Sequence, residues 1–222
     1  GLYRGVEQLE ARRAHNPEVA GSSPAPATIA IESNFDVWLY YFLRFSNNFS
    51  NDELIEAIKY AHLYGVKVYV TVNTLVYERE VDKFMNYIDF LYRHNVDALI
   101  VQDIGMMDLI RKTYPLLELH ASTQMHIHNL EGVKLIESLG LKRVVLARET
   151  PIKLIKKIKR NSTIELEVFT HGALCISYSG QCLFSSFIGN RSGNRGSCAG
   201  SCRQKYNPVS YTHLRAHETR RH

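Results

Sequence analysis

A regular alternation of two hydrophobic periods, running from Asn51 to Phe169, constrains the fold more than any other feature of the chain. NDELIEAIKYAHLYG opens on Asn/Asp, sets Leu54, Ile55, Ile58 and Ala61 on one helical face and stops at Gly65. VKVYVTVN (66–73) then alternates as a β-branched strand does. A second helix is predicted over 78–93, with Val81, Phe84, Met85, Ile88 and Leu91 on one stripe. DALIVQD (97–103) is a short apolar run suited to a parallel sheet covered on both faces. The same reading continues through helix 105–113, strand 117–122, helix 128–139, strand 143–148, helix 151–160 and strand 164–169. Strand starts at 66, 97, 117, 143 and 164 leave room for one helix between neighbours, which makes the strands parallel and the connections crossovers. Consecutive units of this kind without a Gly-rich phosphate loop predict an α/β fold of incomplete (β/α)8 TIM-barrel type over 45–170. A flavodoxin-like open sheet is the alternative.

In a parallel barrel the C-terminal strand ends meet at one mouth, where active sites are built. Here those ends are polar: Asn73, Gln102 with Asp103, His120 with Ser122 and Gln124, Arg148 with Glu149, and His171. Asn73, Gln102, Asp103, His120, Ser122, Gln124 and Glu149 are therefore the candidate substrate-binding residues. His126 and His128 read as hydrogen-bonding or surface histidines, with a second metal site as the minor option. The run KLIKKIKR (153–160) is amphipathic and basic, a solvated helix face with the option of RNA contact.

All four cysteines fall late in the chain, at Cys175, Cys182, Cys198 and Cys202, spaced C-x6-C-x15-C-x3-C among dense glycine. The opening residues lack the apolar core of a signal peptide, and no run reaches the roughly 18–20 apolar residues of a membrane span. A cytoplasmic protein without a membrane partner is expected, its thiols reduced and available to a metal. Four thiolates suit tetrahedral zinc or an iron–sulfur cluster. Only Cys198 and Cys202 match a zinc knuckle, so the spacing tilts towards the cluster. Residues 171–207 thus read as a four-cysteine cofactor segment. The net charge of +5 permits an RNA partner without demanding one.

Both ends look foreign. Gly5–Thr28 back-translates into a string containing an anticodon arm with CAT in its loop, a T arm GGTTCAAGTCC and a CCA end. Residues 1–34 are accordingly expected to be a non-native leader, a tRNA gene read as protein, with 35–44 unassigned. Val209–Thr219 back-translates into a transposase-type adapter, so 208–222 is expected to be a non-native tail. On this reading the chain is a fragment that lacks its opening strand, cannot close its barrel and is unstable alone.

ELEVFTHGALCISYSGQCLFSS resembles the signature of peptidase family U32, the collagenase-like proteases, through Glu167, Phe169, Gly172, Ala173, Leu174, Cys175, Gly180, Cys182 and Ser185. HASTQM, NLEGVK, RVVLARE and NRGSCAGSCRQKY resemble further blocks of that family. The resemblance is strongest to its bacterial tRNA 5-hydroxyuridine hydroxylation branch. It implies a 4Fe–4S cluster on Cys175, Cys182, Cys198 and Cys202, with zinc as the alternative. It also implies tRNA as partner, prephenate or another small organic acid, and a partner subunit of the same family. Glu167 of the signature, with Arg148 and His171 at the mouth, are the candidate catalytic residues. Collagenase-like peptidase activity, hydroxylation of rRNA or of a ubiquinone precursor, and a zinc-stapled RNA-binding module are the alternatives. No recognisable nucleophile–base pair or catalytic zinc motif accompanies the peptidase label.

Overall fold

The computed structural model describes residues 37–39, 49–170 and 175–206. Helix α1 spans Asn51–Leu63 and starts with a capping box, in which Ser50 and Glu53 exchange backbone-to-side-chain hydrogen bonds of 2.7 and 3.3 Å. The cap is therefore Ser50, one residue before the Asn/Asp pair expected for the role. Gly65 adopts φ +69° beyond the helix and turns the chain into strand β2, Val68–Val72. Helix α2 (Val81–Arg93) follows a 3-10 turn at Glu78–Glu80 and leads to β3, Ala98–Val101. Then come α3 (Ile104–Thr113), β4 (Glu118–Ala121), α4 (Leu130–Ser138), β5 (Arg143–Val145), α5 (Ile152–Asn161) and β6 (Glu165–Glu167).

One strand appears where none was expected. Val37–Leu39 forms β1, paired parallel with Val68–Val70, inside the stretch the sequence left unassigned. An opening strand is thus present. The remaining expectations for residues 1–34 and 208–222 lie outside the described residues.

The six strands are all parallel and lie in sequential order, β1 to β6. A flavodoxin-like sheet needs a reversal of that order at a switch point, and this ladder has none. Among the described residues the ladder does not close on itself.

Alternation along the strands separates two faces. Val68, Val70, Val72, Leu99, Val101, Leu119, Ala121 and Val144 join the apolar core with Leu54, Ile58, Phe84, Ile88, Leu91, Met107, Ile110, Val133 and Ile136 from the helices. Each fully buried side chain of this kind contributes about 1.5–3 kcal/mol. The opposite face carries a small apolar cluster, Tyr69, Ala98 and Ile100, beside a charged layer.

Candidate functional site

At the mouth, Asn73 and Ser122 are buried and joined, Nδ2 donating to Oγ at 3.0 Å. Gln102 is also buried, and with Asp103 and Gln124 it lines an open cleft of about 330 Å³ together with Leu75, Ile104, Gly105 and Met125. The carbonyl oxygens of Asn73 and Gln102 are buried without a hydrogen-bond partner among the described residues. A ligand offering N–H or O–H groups would satisfy both. Asp103 is already committed: one oxygen caps α3 by accepting from Met106 N–H at 3.1 Å, and the other accepts from Val76 N–H at 3.1 Å. It shapes the cleft through the backbone.

His120 lies deeper than its sequence position suggested. It is in β4, in register with Ile100 and Arg143, fully buried on the inner face of the sheet. Its Nε2 is 2.9 Å from Glu118 Oε1, and its ring meets Tyr69 edge-on at 4.7 Å. Burial lowers its pKa and outweighs the opposing pull of Glu118. Arg143 extends the layer, bonding Glu165 at 2.8 Å, approaching Glu167 at 3.6 Å and covering the Tyr69 ring at 5.1 Å. The hydrogen bond from Arg143 holds the Glu165 carboxyl below its ordinary pKa. Glu167 is thus an ion-pair member one register step nearer the mouth than Glu165. His171 lies outside the described residues.

Arg148 and Glu149 do not point at an open mouth. They hold the cysteine segment. Ser179, fully buried, accepts from Arg148 N–H at 3.1 Å and Nε–H at 3.2 Å, and donates to Glu149 Oε2 at 2.9 Å. Ser179 N–H also donates to Glu149 Oε1 at 3.1 Å, and His126 Nε2 lies 2.9 Å from the same oxygen. Partial burial pushes the Glu149 pKa up, but the N–H and O–H donors with His126 outweigh it and hold the carboxyl below its ordinary range. His126 sits at φ +57° and its ring stacks on His128 at 4.8 Å.

The segment is pinned at two further places. Gly180, at φ +75°, packs so closely on the Gln124 carbonyl that an added Cβ would sit 2.0 Å from its oxygen, so only glycine fits. Arg195 reaches the loop after β2, bonding both Glu80 oxygens at 2.9 and 2.8 Å, donating to the Leu75 carbonyl at 3.2 Å and covering the Tyr77 ring at 4.7 Å. The segment therefore runs across the mouth from the β5 loop past the β4 loop to the β2 loop. Ser179, His126, Arg195, Glu80 and Arg143 were not singled out from the sequence as parts of the site.

None of the four cysteines forms a disulfide; Cys175 and Cys202 are exposed, Cys182 and Cys198 half-buried. Gly200 N–H donates to Cys198 Sγ at 3.4 Å, the kind of contact that favours a sulfur carrying negative charge. Gly193 lies between two of them: a Cβ there would be 3.6 Å from Cys198 Cβ and 4.0 Å from the Cys182 carbonyl. The donor set fits a thiolate-ligated centre in its chemistry. It is not gathered into one: among the described residues no three His, Cys, Asp or Glu side chains stand close enough to hold a metal ion. That statement also covers His120, His126 and His128.

The fold and site define a singly wound parallel α/β domain with a thiol-bearing strap over its mouth. The model of Peptidase family U32 matches residues 37–222, beginning at the first residue of β1, and the chain belongs to that family. It is 42% identical over 162 residues to the 23S rRNA 5-hydroxycytidine C2501 synthase of Escherichia coli, covering 72% of this chain and 24% of that one. It is 40% identical over 161 residues to tRNA hydroxylation protein P1 of Bacillus subtilis, covering 72% and 38%. A collagenase of Porphyromonas gingivalis is 32% identical over 174 residues, covering 73% and 41%. The chain thus spans less than half the length of each of these relatives. No helix among the described residues is long and apolar enough to cross a membrane.

Proposed function

We propose that this chain is the barrel portion of an iron–sulfur-dependent RNA hydroxylase acting in the cytoplasm. Its substrate on this reading is tRNA, modified at the wobble uridine. The observation that carries the reading is the strap: four thiols on a segment pinned over a polar mouth, so that a cofactor and a substrate cleft adjoin. Likeness to relatives named for rRNA and tRNA hydroxylation supports the substrate class.

In this proposal Cys175, Cys182, Cys198 and Cys202 hold a 4Fe–4S cluster, and the sheet belongs to a (β/α)8 barrel. The cluster would supply the electron transfer that hydroxylating an unactivated ring carbon requires and that side chains cannot provide. The protein's own residues orient and exclude. Asn73 and Gln102 present acceptors to a base or to a small organic acid such as prephenate, Arg148 and Glu149 fix the strap, and the strap shields the cleft from water. Glu167 and His171 stand on and after β6, the strand that feeds the strap, and are proposed as the catalytic pair. A second subunit of the same family completes the assembly.

A peptidase is the competing reading, and Ser179 with Glu149 and His126 is its best local candidate. That trio is in the wrong order, the carboxylate lying between serine and histidine, and Ser179 is fully buried.

Anaerobic purification of the full-length protein with iron and sulfide assays tests the proposal. Stoichiometric iron and sulfide, with visible absorbance and tRNA hydroxylation lost when the four cysteines become serine, is the expected result. Peptide cleavage that survives the same substitutions would replace hydroxylase by peptidase. Zinc in place of iron would leave an RNA-binding module without the chemistry.

A further inference from the structure

We infer that α5, Ile152–Asn161, is the surface on which the phosphate backbone of the RNA lies, an inference that rests on the RNA reading above. The helix IKLIKKIKRN carries Lys153, Lys156, Lys157, Lys159 and Arg160 and no carboxylate. All five cations are exposed. Lys153, Lys156, Lys157 and Arg160 follow the i, i+3, i+4, i+7 spacing that makes one stripe. The chain as a whole has 27 Lys+Arg against 22 Asp+Glu, an excess of five, and this one helix accounts for all of it.

Other helix cations are spent on their own helix. Lys59 pairs with Glu56 at 3.0 Å, Arg93 with Asp89 at 2.6 Å, Lys112 with Asp108 at 2.6 Å and Lys134 with Glu131 at 3.7 Å. The α5 cations have no such carboxylate among the described residues. Nor does the adjoining α4 supply one, since Glu137 accepts from the backbone N–H groups of Thr163 and Ile164 at 2.8 and 3.1 Å.

The opposite face of α5 is occupied. Ile158 is buried in the core, and Leu154 and Ile155 pack against it, so the apolar side a membrane surface would take is not available. What remains is a cationic rail about 15 Å long. It starts just beyond Arg148 and Glu149, so a polyanion held there is delivered to the edge of the mouth.

The test measures binding of a tRNA anticodon stem-loop to the full chain across a salt series. Unmodified protein is compared with the combined variant Lys153→Gln, Lys156→Gln, Lys157→Gln and Arg160→Gln, and with Lys59→Gln plus Lys112→Gln as a control for charge loss elsewhere. Each phosphate released changes the slope of log K against log salt by about 0.7–0.9, so four lost contacts flatten it by about 3. The control keeps the slope, and Lys→Arg at the three lysines keeps binding. Equal circular dichroism of all variants shows that the fold is intact. A stripe variant with the unmodified slope and affinity overturns the assignment of α5 while leaving RNA as substrate. Failure of the unmodified protein to bind RNA, or binding only to anionic lipid vesicles, overturns both.

Discussion

The sheet-and-helix body and the cysteine strap are built on opposite principles. In the body, buried positions are overwhelmingly apolar, from Leu54 to Ile164. In the strap the buried side chains are serines, Ser179, Ser185, Ser197 and Ser201, while Ile176 and Phe187 are 86% and 82% exposed. Its short helix, Phe184–Gly189, is likewise held through a polar contact, Ala199 N–H donating to Ser185 Oγ at 2.8 Å. Non-directional burial stabilises the body, whereas a few directional bonds hold the strap. The difference teaches where function can be tuned: strap geometry depends on a handful of polar atoms and can change without disturbing the core.

Three perturbations probe that contrast, in decreasing order of effect. Leu99→Ala, in the fully buried centre of β3, should destabilise the body by about 2–5 kcal/mol, read from the urea midpoint. A shift below about 1 kcal/mol would mean the body is not core-stabilised. Arg195→Ala removes a bidentate ion pair whose side chains are 16% and 17% exposed, and should loosen the strap by about 1–3 kcal/mol. Limited proteolysis should then cut faster within 175–206, with the urea midpoint of the body nearly unchanged; equal losses in both would erase the distinction.

The third is acidification. Glu149 has a folded-state pKa below its unfolded one, so its contribution is fully present above the unfolded value and is lost as pH falls through the folded value. Cleavage of the strap should therefore rise below about pH 4.3, the ordinary glutamate value. Glu149→Gln should flatten that response.

Much of the body was legible because its causes are local. A 3.6-residue stripe such as Phe84, Ile88 and Leu91 announces both a helix and its buried face, and all three are buried in α2. The mouth was legible only as a set of strand ends. Which of those side chains stay available depends on contacts no local pattern contains, such as Asp103 spent on a cap and Arg148 and Glu149 spent on Ser179. Arg195 and Glu80 are 115 residues apart in sequence and carry no periodic signal. The inner charged layer was more nearly readable. Glu118 and His120, like Glu165 and Glu167, are two residues apart and so share a face, and β-alternation places Arg143 with them.

The sequential strand order also bears on how the protein folds. Because every strand pairs with the ones before and after it, each βα unit can dock on its predecessor as soon as it is synthesised, with short loops to close at every step. The bond from Arg195 to Glu80 closes the longest loop described here and brings no apolar burial to offset the entropy of doing so. The strap therefore docks last and leaves first, so the mouth stays open, on the folding timescale, until the rest of the domain is in place.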